Sequence, residues 1–153
     1  MGGRVIKYFA YGSNMDRSRM YDRIQRNPAY SFGFINDYVL VFNKQADNKP
    51  GVGYANIKFY VGGIVWGLVY DLIEEELSKI DEFEGVKLKH YNRISLPAHV
   101  NDKDVQVVAY IADPSRIQEG LLPDRKYLSH LLAAENLLPF EYVKFLKEQP
   151  TID

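Results

Sequence analysis

The sequence contains no cysteine, which excludes disulfides, thiolate metal sites and a thiol nucleophile, and suits a chain kept in a reducing compartment such as the cytoplasm. It also lacks a surplus of one charge. Nineteen Lys and Arg stand against 20 Asp and Glu, for a formal net charge of -1, and neither sign is gathered into a block, so composition points away from nucleic acid and from anionic membranes. No apolar run approaches the roughly 20 residues that span a bilayer. The first residues lack the charged-then-apolar layout of a signal peptide, so export is not expected. Gly2 occupies the position of a myristoylated glycine, but Ile6 stands where Ser or Thr is wanted, and lipidation is set aside. Internal repeats, low-complexity stretches and long linkers are missing too. A single domain over residues 1–153 is therefore expected, of a length that buries about two-thirds of the surface of the unfolded chain.

What the sequence has in abundance is tyrosine, 12 residues within an aromatic fraction of 14%. Arg4 to Ala10, rich in β-branched and aromatic residues, reads as a short strand, and Asn14 opens a helical pattern with Met20, Tyr21 and Ile24 that Asn27-Pro28 stops. Tyr38 to Phe42, Gly53 to Tyr60 and Ile64 to Leu72 read as three further strands. Ile73, Leu77, Ile80 and Phe83 recur at helical spacing, Glu74 to Glu76 crowd the first turn where the helix dipole favours them, and Gly85 ends the helix. Tyr91 to Val100 and Val105 to Ile111 return to strand around an Asn101-Asp102 hairpin. Asp124 caps a helix running to about Asn136, and Pro139 starts a last one that ends near Lys147. Strands in the middle with helices at the flanks give an α+β class built on a mixed sheet.

Two segments carry groups suited to chemistry. Tyr8-Phe9-Ala10-Tyr11-Gly12-Ser13-Asn14-Met15 runs from a strand into a small polar loop, whose backbone N–H groups suit a carboxylate; equally, Ser13 or Asn14 merely caps the helix. Leu77 to Val86 ends a helix in a cluster of carboxylates, where the dipole and acidic neighbours push the pKa of Glu84 upward, toward that of a general base. The alternative is a solvated acidic surface. Ser13 lacks the second glycine of a nucleophile elbow and no histidine is singled out as its partner. His90, His99 and His130 show no metal-ligand spacing, so no metal is expected. Gly51-Val52-Gly53 leads into a strand, with Asn56 where a dinucleotide loop needs its third glycine, so no nucleotide cofactor is expected.

In order and spacing, these motifs resemble the gamma-glutamylcyclotransferase family. The resemblance rests on Tyr11-Gly12-Ser13-Asn14 after the first strand, Val65-Trp66-Gly67-Leu68-Val69-Tyr70, Asp81-Glu82-Phe83-Glu84-Gly85-Val86, Tyr91, and Ala134 to Tyr142, and so spans Tyr8 to about Tyr142. Met15 stands where many relatives have Leu, an exchange that conserves volume. The resemblance implies a curved, barrel-like mixed β-sheet flanked by helices and an enzyme that needs no cofactor. It makes Glu84 the acid/base residue, gives the Tyr11, Gly12, Ser13, Asn14 and Met15 loop the gamma-glutamyl head group, and makes Tyr91, Tyr110 and Tyr127 pocket tyrosines whose hydroxyls complete the orientation.

On that footing the partner is a small gamma-glutamyl substrate whose own α-amine attacks its γ-carbonyl and closes 5-oxoproline, and relatives that dimerise admit a homodimer. Three other readings remain: a gamma-glutamylamine cyclotransferase, an enzyme that removes a gamma-glutamyl protecting group, and a binding protein of the same fold without turnover.

Overall fold

The computed structural model describes residues 3–153; Met1 and Gly2, the rejected lipidation position among them, lie outside the described residues. Five strands close into a barrel, β1 (Ile6–Ala10), β2 (Tyr30–Gln45), β3 (Gly53–Leu72), β4 (Tyr91–Val100) and β5 (Lys103–Ala112), in the spatial order β1-β3-β2-β4-β5. Neighbours are antiparallel except at the closure, where β1 meets β5 in parallel through Tyr8 and Val108. The mixed, barrel-like sheet expected from the resemblance is therefore present. It carries four helices, α1 (Arg17–Ile24), α2 (Glu74–Phe83), α3 (Arg125–Leu132) and α4 (Phe140–Lys147).

Several boundaries differ from those the sequence suggests. Tyr38 to Phe42 is the inner part of a strand that begins at Tyr30. The two strands expected at Gly53 to Tyr60 and Ile64 to Leu72 are one. Their apparent break is an irregularity opposite Asp37, which takes φ 67° and whose carboxylate accepts the Gly62 N–H at 3.0 Å, after which the ladder resumes. The first helix does not open at Asn14. A 3-10 turn covers Ser13–Met15, and Asp16 caps α1 by accepting from the Ser18 N–H at 3.1 Å. The helix expected to reach Asn136 stops at Leu132, and the chain tightens into a 3-10 turn over Glu135–Leu137 that brings Ala134 and Leu138 into the core beside Leu131. Pro139 lies one position outside α4.

Other expectations match. Asp124 accepts from the Tyr127 N–H at 2.7 Å, and Asn101 and Asp102 both take positive φ, 49° and 62°, as a tight hairpin between right-twisted strands requires. The α2 helix follows its apolar periodicity, with Leu77 and Ile80 fully buried. Each such side chain contributes about 1.5–3 kcal/mol. Gly85 then turns the chain in the left-handed region at φ 65°, with its α-carbon so close to the His90 ring that a β-carbon would lie 2.6 Å from it. Glu84, just before that turn, is the C-cap residue of α2.

The start of α2 is fixed by charge. Arg26, just beyond α1, donates two hydrogen bonds to the Glu76 carboxylate at 2.6 and 2.7 Å, and Glu76 also accepts the Ile73 N–H at 3.1 Å. The Arg26 guanidinium holds the Glu76 carboxyl below its ordinary pKa of 4.5. A lowered folded pKa gives stability that is present above the ordinary value and lost as pH falls through the lowered one. Glu76→Gln should therefore cost about 1–2 kcal/mol in urea melts at neutral pH, and the cost should shrink as pH falls below 4.5 and through the lowered folded pKa.

Candidate active site

One end of the barrel opens into a cavity of ≈ 420 Å³, in the size range of small-molecule sites. Its floor is formed by Tyr8 and Phe9 of β1 and the loop that follows that strand. Asn14 is buried there, 2% exposed, and makes contacts in three directions. Its amide nitrogen donates to the Tyr8 hydroxyl at 2.9 Å and to Glu84 Oε1 at 3.3 Å, while its amide oxygen accepts from Arg23 Nη1 at 2.9 Å. Its main-chain carbonyl accepts the Tyr70 hydroxyl at 2.7 Å. Asn14 thus joins residues far apart in sequence. Of the two readings of the loop, capping by Ser13 or Asn14 is set aside, because Asp16 is the cap.

Glu84 faces this cavity and not bulk solvent, with its side chain 19% exposed. Oε1 lies 3.3 Å from Asn14 and 3.9 Å from Arg23; among the described residues Oε2 has no hydrogen-bond partner. Its pKa is raised. Burial is the main cause, opposed by the cations Arg23, Arg19 and Lys44 and assisted by Asp81. The direction matches the sequence argument, but the cause differs, because the acidic cluster is dispersed. Asp81 is engaged by Arg93 at 2.7 and 2.8 Å and by the Tyr110 hydroxyl at 2.6 Å, so it serves as a brace.

The loop brings Tyr11, Gly12, Ser13 and Asn14 to the wall. Among the described residues, no protein acceptor meets the N–H groups of Gly12, Ser13 and Asn14. Met15, expected with them, is corrected: the 3-10 turn directs its side chain into the core at 1% exposure, and it does not line the cavity. Gly12 allows a close approach, since a β-carbon there would lie 3.2 Å from the Ala55 β-carbon and 3.3 Å from the Tyr127 hydroxyl.

Tyr91, Tyr110 and Tyr127 all reach the cavity, but most hydroxyls are spent on the protein. Tyr11 donates to the Tyr110 carbonyl, Tyr91 to the Ala55 carbonyl at 2.8 Å, and Tyr110 to Asp81. Tyr8 and Tyr127 accept, from Asn14 and from the Ala55 N–H at 3.0 Å, and among these five they alone keep an uncommitted proton. Burial raises the pKa of all five, so they are neutral at physiological pH and cannot serve as bases.

Sequence reasoning missed Tyr8, Arg19, Arg23, Lys44 and His90 on the cavity wall. One available signal was the Arg19 and Arg23 pair, like charges four residues apart on a short helix, which repel each other and need an anion opposite them. Among the described residues, no cluster of His, Asp and Glu could hold a metal ion, and no helix is long and apolar enough to cross a membrane.

A raised folded pKa on a carboxyl means that the native state binds its proton more tightly than the unfolded chain. The stability this gives is complete below the ordinary value of 4.5 and is lost as pH rises through the raised one. Glu84→Gln should accordingly melt about 2–4 °C above wild type at neutral pH in calorimetric scans, with the gap closing at about pH 4.

Comparison with known proteins places this cavity in context. A profile for the AIG2-like family matches residues 64–146. The chain is 32% identical over 151 residues to the gamma-glutamylcyclotransferase of Bos taurus, covering 94% of this chain and 78% of that protein. It is 31% identical over 153 residues to the gamma-glutamylcyclotransferase of Homo sapiens, covering 92% and 76%. A solved structure described as gamma-glutamyl cyclotransferase superposes with a TM-score of 0.87 at 28% identity, covering 98% of this chain and 90% of that one.

Proposed function

The chain belongs to the gamma-glutamylcyclotransferase family, and from that membership and the geometry of its cavity we propose that it releases 5-oxoproline from a gamma-glutamyl amide, with Glu84 as both base and acid. The observation that carries the reading is the Glu84 carboxylate: it faces the cavity, Asn14 holds one oxygen at 3.3 Å, the other is free, and burial raises its pKa.

The chemistry asks little else of the protein. A gamma-glutamyl group contains its own nucleophile, and holding amine and carbonyl in contact is worth about 7–11 kcal/mol of barrier. An α-amine with pKa near ~8 is mostly ammonium at neutral pH. Glu84 Oε2 takes a proton from it, and the freed nitrogen attacks the γ-carbonyl carbon. A carbon–nitrogen bond forms, and the carbonyl electron pair moves onto oxygen. Glu84 then returns the proton to the departing nitrogen as the electron pair comes back from oxygen and the old amide bond breaks, and it relays the second proton of the ring nitrogen to the released amine, giving 5-oxoproline and an ammonium. The unpaired N–H groups of Gly12 to Asn14 hold the substrate carboxylate or the developing oxyanion. Tyr8 and Tyr127 supply hydroxyl donors, and the rings of Tyr91 and Tyr110 confine the folded glutamyl chain.

This reading covers both an amino acid and a simple amine as leaving group. A panel of gamma-glutamyl amino acids, gamma-glutamylamines and glutathione, assayed for 5-oxoproline, separates those cases, and binding of 5-oxoproline with no turnover of any member would mark a protein that only binds. Glu84→Gln should stay folded and lose about 10²–10⁴-fold in kcat; turnover close to wild type would remove Glu84 from the mechanism. Gly12→Val, whose β-carbon presses on the Tyr127 hydroxyl and Ala55, should weaken 5-oxoproline binding in calorimetry by about tenfold or more, or about 1.4 kcal/mol. Unchanged affinity would reject the loop's role.

A further inference from the structure

The cavity wall also carries a second charged group that the cyclisation does not use. Lys44, on β2, is only 4% exposed, yet it lines the cavity. Its ammonium lies 2.7 Å from His90 Nδ1, and His90 Nε2 lies 3.3 Å from the Asp47 carboxylate. The rings of Tyr91 and Tyr54 flank the ammonium at 5.4 and 5.8 Å. The hydrogen-bond directions are consistent along the row. Lys44 donates to Nδ1, so the imidazole is neutral with its proton on Nε2, facing Asp47. Burial, which lowers the pKa of His90, favours the same state.

Lys44 has three N–H donors and His90 takes one; among the described residues no protein acceptor takes the other two. Nor does Glu84 pair with it, since the cation within 4.0 Å of Glu84 is Arg23. A buried ammonium with unspent donors calls for an anion. The cavity as a whole does too, with five Lys and Arg side chains against three carboxylates on its wall.

Position indicates which anion. The floor, with Tyr8, Tyr11 and Asn14 at 5% exposure or less, is the closed end where Glu84 and the loop N–H groups meet the glutamyl head. The Lys44 row runs out to Asp47, whose side chain is 68% exposed, so it lies on the way to solvent, where the leaving group must project. We propose that Lys44, seated by His90, pairs with the carboxylate of a leaving amino acid, and is thereby the residue that selects gamma-glutamyl amino acids over gamma-glutamylamines. The inference rests on the cyclotransferase reading of the same cavity.

Gamma-glutamylalanine and gamma-glutamylethylamine differ only by that carboxylate and provide the test. Wild type should prefer the alanine compound by about 100-fold in kcat/KM, the scale of a charge-assisted pair out of bulk water. In Lys44→Met the preference should fall to within about threefold, and Lys44→Arg should recover part of it. A wild type that turns over both without preference overturns the role of Lys44 and leaves the cyclotransferase reading standing, and it does so without any variant. A preference that survives in Lys44→Met, or in Lys44→Gln should the methionine variant not fold, overturns it equally. Release of 5-oxoproline from neither compound by wild type removes the cyclotransferase reading, and this inference with it.

Discussion

One buried amide holds the arrangement together. Asn14 joins Tyr8 on β1 and Glu84 at the end of α2 through its amide nitrogen, Arg23 on α1 through its amide oxygen, and Tyr70 on β3 through its main-chain oxygen. In a buried setting a polar group left without its partner costs about 1–3 kcal/mol, so the loss of any one member unsettles the others. The conformation of the loop, the aim of the carboxylate and the closure of the first helix onto the barrel are therefore settled together. The same amide orients Glu84 by one oxygen and leaves the second for a ligand.

The tyrosines play a related part. Their hydroxyls mostly end on backbone atoms of neighbouring strands, as in Tyr11 to Tyr110 and Tyr91 to Ala55. Their rings are thus fixed walls, and adaptable contacts are left to the cations. This division of labour fits the proposed reaction, in which the substrate attacks itself and the protein's chief task is to hold its shape.

Much of this was legible in the sequence, for local reasons. The α2 helix announces itself by apolar spacing, acidic first turn and terminal glycine, and the β4–β5 hairpin by its Asn101-Asp102 corner, because these signals depend on residues a few positions apart. The Glu84 and loop motifs were legible only through likeness to a family; residue type alone left both open to ordinary structural readings. What stayed hidden is long-range. Asn14 and Glu84 are 70 residues apart, Lys44 and His90 46 apart, and nothing in either segment encodes the other. The 3-10 turn that shifts the helix start from Asn14 to Arg17 is a matter of three residues, yet it turns Met15 inward and frees Asn14 from capping.

The barrel closes through the single parallel pairing of Tyr8 with Val108, and the β2–β4 seam is as short, joined through Phe34 and His99, while the β1–β3, β2–β3 and β4–β5 seams are longer. Thermal breathing of a closed sheet concentrates where the fewest rungs must part. Tyr8 belongs both to the first of these rungs and to the wall of the cavity that Glu84 faces, so loosening at that seam reaches the cavity directly. The short seam that completes the cylinder is thus one of two points where it can give, and it is the one whose give is passed to the cavity through Tyr8.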